Sequence, residues 1–269
     1  MQTILIVLNS EKLENPDLDI RYELPDKLER YTNNEIYDNG YDHLTDTELG
    51  IWLETQSAKE NYGKVVDFFD EHMVCGNDLL GTAKIYISEK EAAPLEECTL
   101  VYDGAVMTSD EEVRAANRGK KIDKIISRIT GLITDDNMNV VGQLKTELCE
   151  LQDIEEKWEC FTSELKKNKY IYECDEDAEL NEFLGFLQEA VSIKVNALSV
   201  KENMFDADND LYEWCEVLDA LWADDGYCMA IYEMENGNDV VFPCCEEKLE
   251  EISELAKEIC INVMAVAEY

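Results

Sequence analysis

A chain of 269 residues with 62 Asp and Glu against 23 Lys and Arg has a formal charge of −39. Such a surface repels nucleic acid and anionic lipid, which are bound through basic side chains that displace counterions, and it attracts basic protein surfaces instead. At 45% hydrophobic and 9% aromatic residues with only four Pro, the chain still has enough apolar material for a core, which excludes disorder driven by charge alone.

The opening run Thr3 to Leu8 is apolar but short, with no basic residues before it and polar residues after it, so it reads as a buried strand rather than a signal peptide. No apolar run approaches the roughly 18 to 20 residues of a membrane helix, and a cytoplasmic location is the expectation. Asn15-Pro16-Asp17 signals a turn, and a short helix is expected near Pro25 to Tyr31, with Pro25 at its first position. Leu49 to Glu54 reads as a strand. Ser57 and Glu60 form an S-x-x-E capping box ahead of Tyr62, Val65, Val66, Phe69 and Met73 at helical spacing, with Gly76 as the stop. Residues 80 to 88 and 98 to 102 supply two more strands, the first through alternation of Ala83, Ile85 and Ile87 with polar neighbours. Residues 1–105 are therefore expected to form a small α+β domain.

From 106 to 119 the apolar pattern lapses into Thr108-Ser109-Asp110-Glu111-Glu112, then Arg114 and Arg118, which reads as a linker or exposed connecting helix. A second α+β domain is expected over 120–269, rich in helices. Ile122 to Ile133 form an amphipathic helix, Leu144, Leu148 and Leu151 a second, Trp158, Phe161 and Leu165 a third, and Leu180 to Leu187 a fourth. Val191-Ser192-Ile193-Lys194-Val195 has the period of a strand. The end of the chain reads as an α-β-β-α-β module. Its parts are a helix with the face Leu211, Trp214, Cys215, Leu218 and Trp222, strands Tyr227 to Met234 and Asp239 to Phe242 around an Asn236-Gly237 hairpin turn, a helix after Pro243, and a strand from Ile261 to Ala267.

Few residues carry recognisable chemistry. The ten Cys include no C-x-x-C pair, and only Cys244 and Cys245 are close in sequence; they read as reduced core thiols, Cys215, Cys228 and Cys260 lying in apolar patterns. Asp206-x-Asp208-x-Asp210 imitates the start of a calcium loop, but Leu211 stands where glycine is needed and Val217 where a bidentate Glu is needed. An acidic helix start explains the three carboxylates without a metal. His72 and Cys75, three apart, would share a helix face, yet the end of a helix disfavours a thiolate. His43 reads as part of a surface loop. Gly-rich phosphate loops are absent, so neither cofactor nor metal is expected. The basic stretch Arg114, Arg118, Lys120, Lys121, Lys124 and Arg128 is expected to pair with the acidic end of the chain across the domain interface rather than bind nucleic acid.

Charge is most concentrated toward the end of the chain, where residues 170 to 269 hold 26 Asp or Glu against four Lys. Glu247, Glu250, Glu251, Glu254 and Glu258 fall away from the apolar face of the last long helix and form an acidic ridge. Like-charge spacings of three or four outnumber opposite ones there by six to two, an excess worth about 1 to 2 kcal/mol of destabilisation. A basic partner would relieve it. With Asp206, Asp208, Asp210, Glu213 and Glu216, these residues are the candidate partner-binding surface.

At Ile4 to Leu8, Leu13-Glu14-Asn15-Pro16-Asp17-Leu18-Asp19-Ile20-Arg21-Tyr22-Glu23-Leu24-Pro25 and Asn39-Gly40-Tyr41-Asp42, the first domain resembles bacterial immunity-type proteins found beside secreted polymorphic toxins. Around Asp239 to Phe242 and Leu249 to Ile261, the end of the chain resembles a bacterial family of unknown function met in the same neighbourhoods. Neither family supplies catalytic residues. The resemblance implies an inhibitor that docks on a basic toxin such as a nuclease. The competing expectations are an enzyme using buried carboxylates or a Cys75 thiolate, and a self-associating structural protein.

Overall fold

The computed structural model describes residues 1–107, 111–175 and 178–269. It is a mixed structure of helices and sheets, an α+β fold, packed as two compact units. Met1–Lys121 and Glu258–Cys260 make the first, Ile122–Lys257 and Ile261–Tyr269 the second. Of the stretch read as a linker, Thr108, Ser109 and Asp110 lie outside the described residues, as do the side chains of Glu111, Glu112 and Arg114. From Glu111 the backbone is helical.

In the first unit, β1 (Gln2–Asn9) is the middle strand of an antiparallel five-stranded sheet. Alternate residues Ile4, Ile6 and Leu8 face the core with Ile51, Leu53 and Ile85 of neighbouring strands. Leucines 24 and 28 of α1 (Ile20–Tyr31) and Val65, Phe68 and Phe69 of α2 (Ala58–Glu71) belong to the same core. Each such side chain contributes about 1.5 to 3 kcal/mol by leaving water. The opposite face is covered near Thr3, whose hydroxyl donates to Lys90 O and accepts from Ala93 N. Trp52 closes that cover by donating from Nε1 to Ala93 O at 2.9 Å, and its ring lies where a Cβ at Gly50 would sit, so glycine is required there.

Sheet order is β2 (Ile36–His43), β3 (Glu48–Thr55), β1, β4 (Lys84–Ser88), β5 (Thr99–Asp103). A short α3 (Gly104–Met107) follows β5. Strand β2 has no counterpart in the sequence reading. Its register against β3 shifts between Asp38 and Tyr41, and two of its N–H groups, on Gly40 and His43, donate to the carboxylates of Asp38 and Asp42. The expected surface loop at His43 is thus the end of an edge strand.

Two helix ends differ from expectation. Helix α1 begins five residues before Pro25, which is buried inside it. Ser57 does precede α2, but its side chain makes no capping bond; Gln2 Oε1 accepts from Ala58 N instead, at 2.8 Å. That helix stops at Glu71 with His72 already extended, before Gly76. Cys75 and Gly76 form a tight turn with positive φ, held by the buried Asn77 amide, which donates to Asn15 O, Val74 O and Cys75 O. His72 and Cys75 therefore share no helix face.

In the second unit, a four-stranded antiparallel sheet runs β6 (Tyr172–Cys174), β8 (Asp239–Cys245), β7 (Tyr227–Glu233), β9 (Met264–Ala265). Met229, Ile231 and Val241 pack with Phe183, Phe186 and Leu187 of α7 (Leu180–Glu189), Ile193 of α8 (Val191–Val195) and Trp214, Cys215, Leu218 and Trp222 of α9 (Leu211–Trp222). Alternate residues point the other way. Tyr232 packs its ring 5.2 Å from Trp158 and 6.4 Å from Phe161 of α6 (Ile154–Lys167), and its hydroxyl is 2.9 Å from Thr162 Oγ1. Helices α4 (Glu111–Thr134, from Ile122 onward), α5 (Met138–Leu148) and α10 (Glu246–Glu258, up to Lys257) complete this unit.

The strand expected at 191–195 is the helix α8. Adjacent residues Ser192 and Ile193 are buried together while Val195 is 67% exposed, a pattern that an alternating strand cannot satisfy. The hairpin at Asn236-Gly237 has a three-residue loop: Gly237 N donates to Met234 O and Met234 N to Asn238 O, and only Gly237 has positive φ. Strand β8 runs through Pro243 to Cys245, so α10 starts three residues after Pro243, and the last strand shrinks to Met264–Ala265.

Candidate acidic binding surface

The start of α9 concentrates carboxylates because they cap it. Asp210 Oδ1 accepts from Glu213 N at 2.9 Å while Glu213 Oε2 accepts from Asp210 N at 3.1 Å, a reciprocal capping box. Asp206 Oδ1 accepts from Asp208 N, and the Asp206 carbonyl from Trp214 Nε1. Asp206, Asp208, Asp210, Glu213 and Glu216 are exposed. Among the described residues no three His, Cys, Asp or Glu side chains converge to hold a metal ion.

Helix α10 presents a second group. Glu247, Glu250, Glu251 and Glu254 follow a spacing of three, four and seven from the first, which lines them on one face, and all four are exposed while Leu249, Ile252 and Ala256 are buried. Glu251 accepts from Arg128 Nε at 2.8 Å, an exposed pair of small worth. Lys248, three residues before Glu251 and so placed to offset it, reaches instead to Asp135 and donates to Leu132 O.

Glu258 leaves the ridge. Its side chain is 9% exposed, with Lys27 Nζ at 3.3 Å, His72 Nδ1 at 3.4 Å and Met73 N at 3.3 Å, all in the first unit. Burial pushes its carboxyl up, but His72, Lys27 and the Met73 N–H outweigh that and hold it below its ordinary value. The His72 ring is stacked on Phe68, with centroids 4.8 Å apart. Nothing near Glu258 in sequence marks this site, since Lys27 and His72 come from the other end of the chain.

Lys121, from the basic stretch, is buried against Asp78 at 2.7 Å and donates to Phe69 O, so it pairs with a carboxylate outside the acidic end of the chain. Cys75 does not suit nucleophilic chemistry: burial first, then Glu23 and Asp17, push its thiol up to about 12. Cys260, expected inside, is exposed, and its Sγ accepts from Asn15 Nδ2.

Asp219 of α9 is a further carboxylate that the sequence reading missed. Burial, opposed by a hydrogen bond from Met229 N at 2.6 Å and reinforced by Glu246 and Glu216, raises its pKa to about 6. The folded chain therefore holds this proton more tightly than the unfolded one, so the stabilisation is complete below the ordinary Asp value and is lost as pH rises through 6. Asp219→Asn keeps an acceptor for Met229 N and cannot ionise. At pH 7 it should stabilise the protein by about 1 to 2 kcal/mol, discounted because the carboxyl is only partly buried, and the gain should vanish near pH 4. Urea unfolding at the two pH values reads this directly, and an equal change at both would refute it.

Residues 126–267, just over half of the chain, match the family DUF6630, a domain of unknown function. That stretch contains the last nine residues of α4 and all of α9 and α10. No curated protein and no solved structure matches the chain. Among the described residues no helix is long and apolar enough to cross a membrane.

Proposed function

The chain belongs to the DUF6630 family, and from that premise we propose that it is an acidic cytoplasmic binding protein that docks on a basic polypeptide, in the manner of an immunity protein or inhibitor. The observation that carries this reading is the row Glu247, Glu250, Glu251 and Glu254, exposed along one face of α10 inside the family segment. Like charges at these spacings repel in the free protein, and a cationic partner converts that cost into attraction. Their field also speeds encounter with a basic surface, an effect screened over about 8 Å at physiological salt. A toxin whose substrate is nucleic acid has the required cationic face, and covering it would block the substrate.

The test compares capture from a lysate of the native host by the wild type and by the variant Glu247→Lys, Glu250→Lys, Glu251→Lys and Glu254→Lys. The wild type should retain a basic polypeptide at low salt and release it as salt rises, while the reversed variant, folded by circular dichroism, should retain none. Recovery of the same polypeptide by both proteins would sink the reading.

A further inference from the structure

We propose that a cavity in the first unit, lined by Lys12, Thr82 and Arg118, binds a small anion bearing a carboxylate or phosphate group. Its volume is about 270 Å³, and an adjoining cavity of about 100 Å³ shares Lys12 and Thr82 and adds Lys84. This is just under the roughly 300 to 1,000 Å³ usual for ligand sites, so the occupant is a small metabolite and not a dinucleotide.

Charge decides its sign. Asp78 lines the same cavity, but Lys121 lies 2.7 Å from its carboxylate and neutralises it. Among the described residues that line the two cavities, Lys12, Lys84 and Arg118 then meet Glu14 and Glu48, three cations to two carboxylates in a chain of net charge −39. Among the described residues none of the three cations forms an ion pair, although carboxylates outnumber cations almost threefold along the chain. Arg118 is the more telling because its Nε is buried and makes no hydrogen bond. A guanidinium held partly out of water without an acceptor is unfavourable, and an anion in the cavity supplies the missing charge to the rest of its planar fork. Lys12 adds a mobile point charge from the rim, being itself exposed.

The site is independent of the acidic face on α10, so each can fail alone. Calorimetric titration of the full chain at low ionic strength with inorganic phosphate, citrate and adenosine monophosphate tests it. At least one probe should bind saturably, and the ranking among them separates a phosphate site from a carboxylate site. Arg118→Gln and Lys12→Gln should each weaken that binding by about tenfold or more, whereas Lys145→Gln, at an exposed position on α5, should not change it. Absence of saturable binding by all three probes overturns the assignment. So does full affinity in Arg118→Gln or, if that variant fails to fold, in Lys12→Gln.

Discussion

Lys157→Met should destabilise the protein by about 3 to 5 kcal/mol, because it leaves a carboxylate without its buried partner. The lysine is 1% exposed in the second unit, where its ammonium meets Asp123 and donates to Leu148 O at 3.1 Å. The methionine fills the volume of the lysine stem, so the loss measured is electrostatic rather than a cavity. Asp123 retains some access to water, with 22% of its side chain exposed, which favours the lower end of the range. Adding Asp123→Leu removes the stranded charge and should recover most of the loss, since an apolar pair often replaces a buried ion pair without cost. Urea melts of wild type, both single variants and the double variant form the cycle. A Lys157→Met protein within about 1 kcal/mol of wild type would mean that the Asp123 carboxylate is solvated or finds another donor.

Glu258→Gln should cost about 3 kcal/mol at pH 7, because Lys27, 14% exposed at its side chain, then loses its counter-charge. Sign follows from the depressed pKa of this carboxyl. Its stabilisation is present above the unfolded Glu value and is lost as pH falls through the folded one. Wild type and Glu258→Gln should therefore differ at pH 7 and converge near pH 3, the reverse of the Asp219→Asn comparison, where the difference is also largest at neutral pH but with opposite sign. A difference that persists unchanged at pH 3 would assign the effect to packing.

Legibility from sequence follows how local the determining interactions are. Helices α9 and α10 and the Gly237 hairpin are readable because apolar spacing, a capping box and a turn glycine act within a few residues. Strand β2 is not, since only Ile36 of its eight residues is buried and its charged and tyrosyl side chains face water. Strand β6 is three half-buried residues defined only by pairing with β8. Val191 to Val195 misleads because a β-branched residue at every second position fits a strand, yet burial of Ser192 with Ile193 selects a helical turn. At the candidate surface, Glu247, Glu250, Glu251 and Glu254 occupy the exposed face that their spacing implies. Glu258 continues the same spacing and is buried, a fate decided by Lys27 and His72, which no local pattern contains.

The bulge in β2, with Asp38 and Asp42 turned back onto N–H groups of their own strand, also bears on behaviour at high concentration. An outer strand with a regular row of open amides is a template on which a second chain can extend the ladder toward fibrils. Here the row is interrupted, and the carboxylates that interrupt it also repel an incoming copy. Colloidal resistance to aggregation is thus built into this margin of the sheet by the same residue type that dominates the chain.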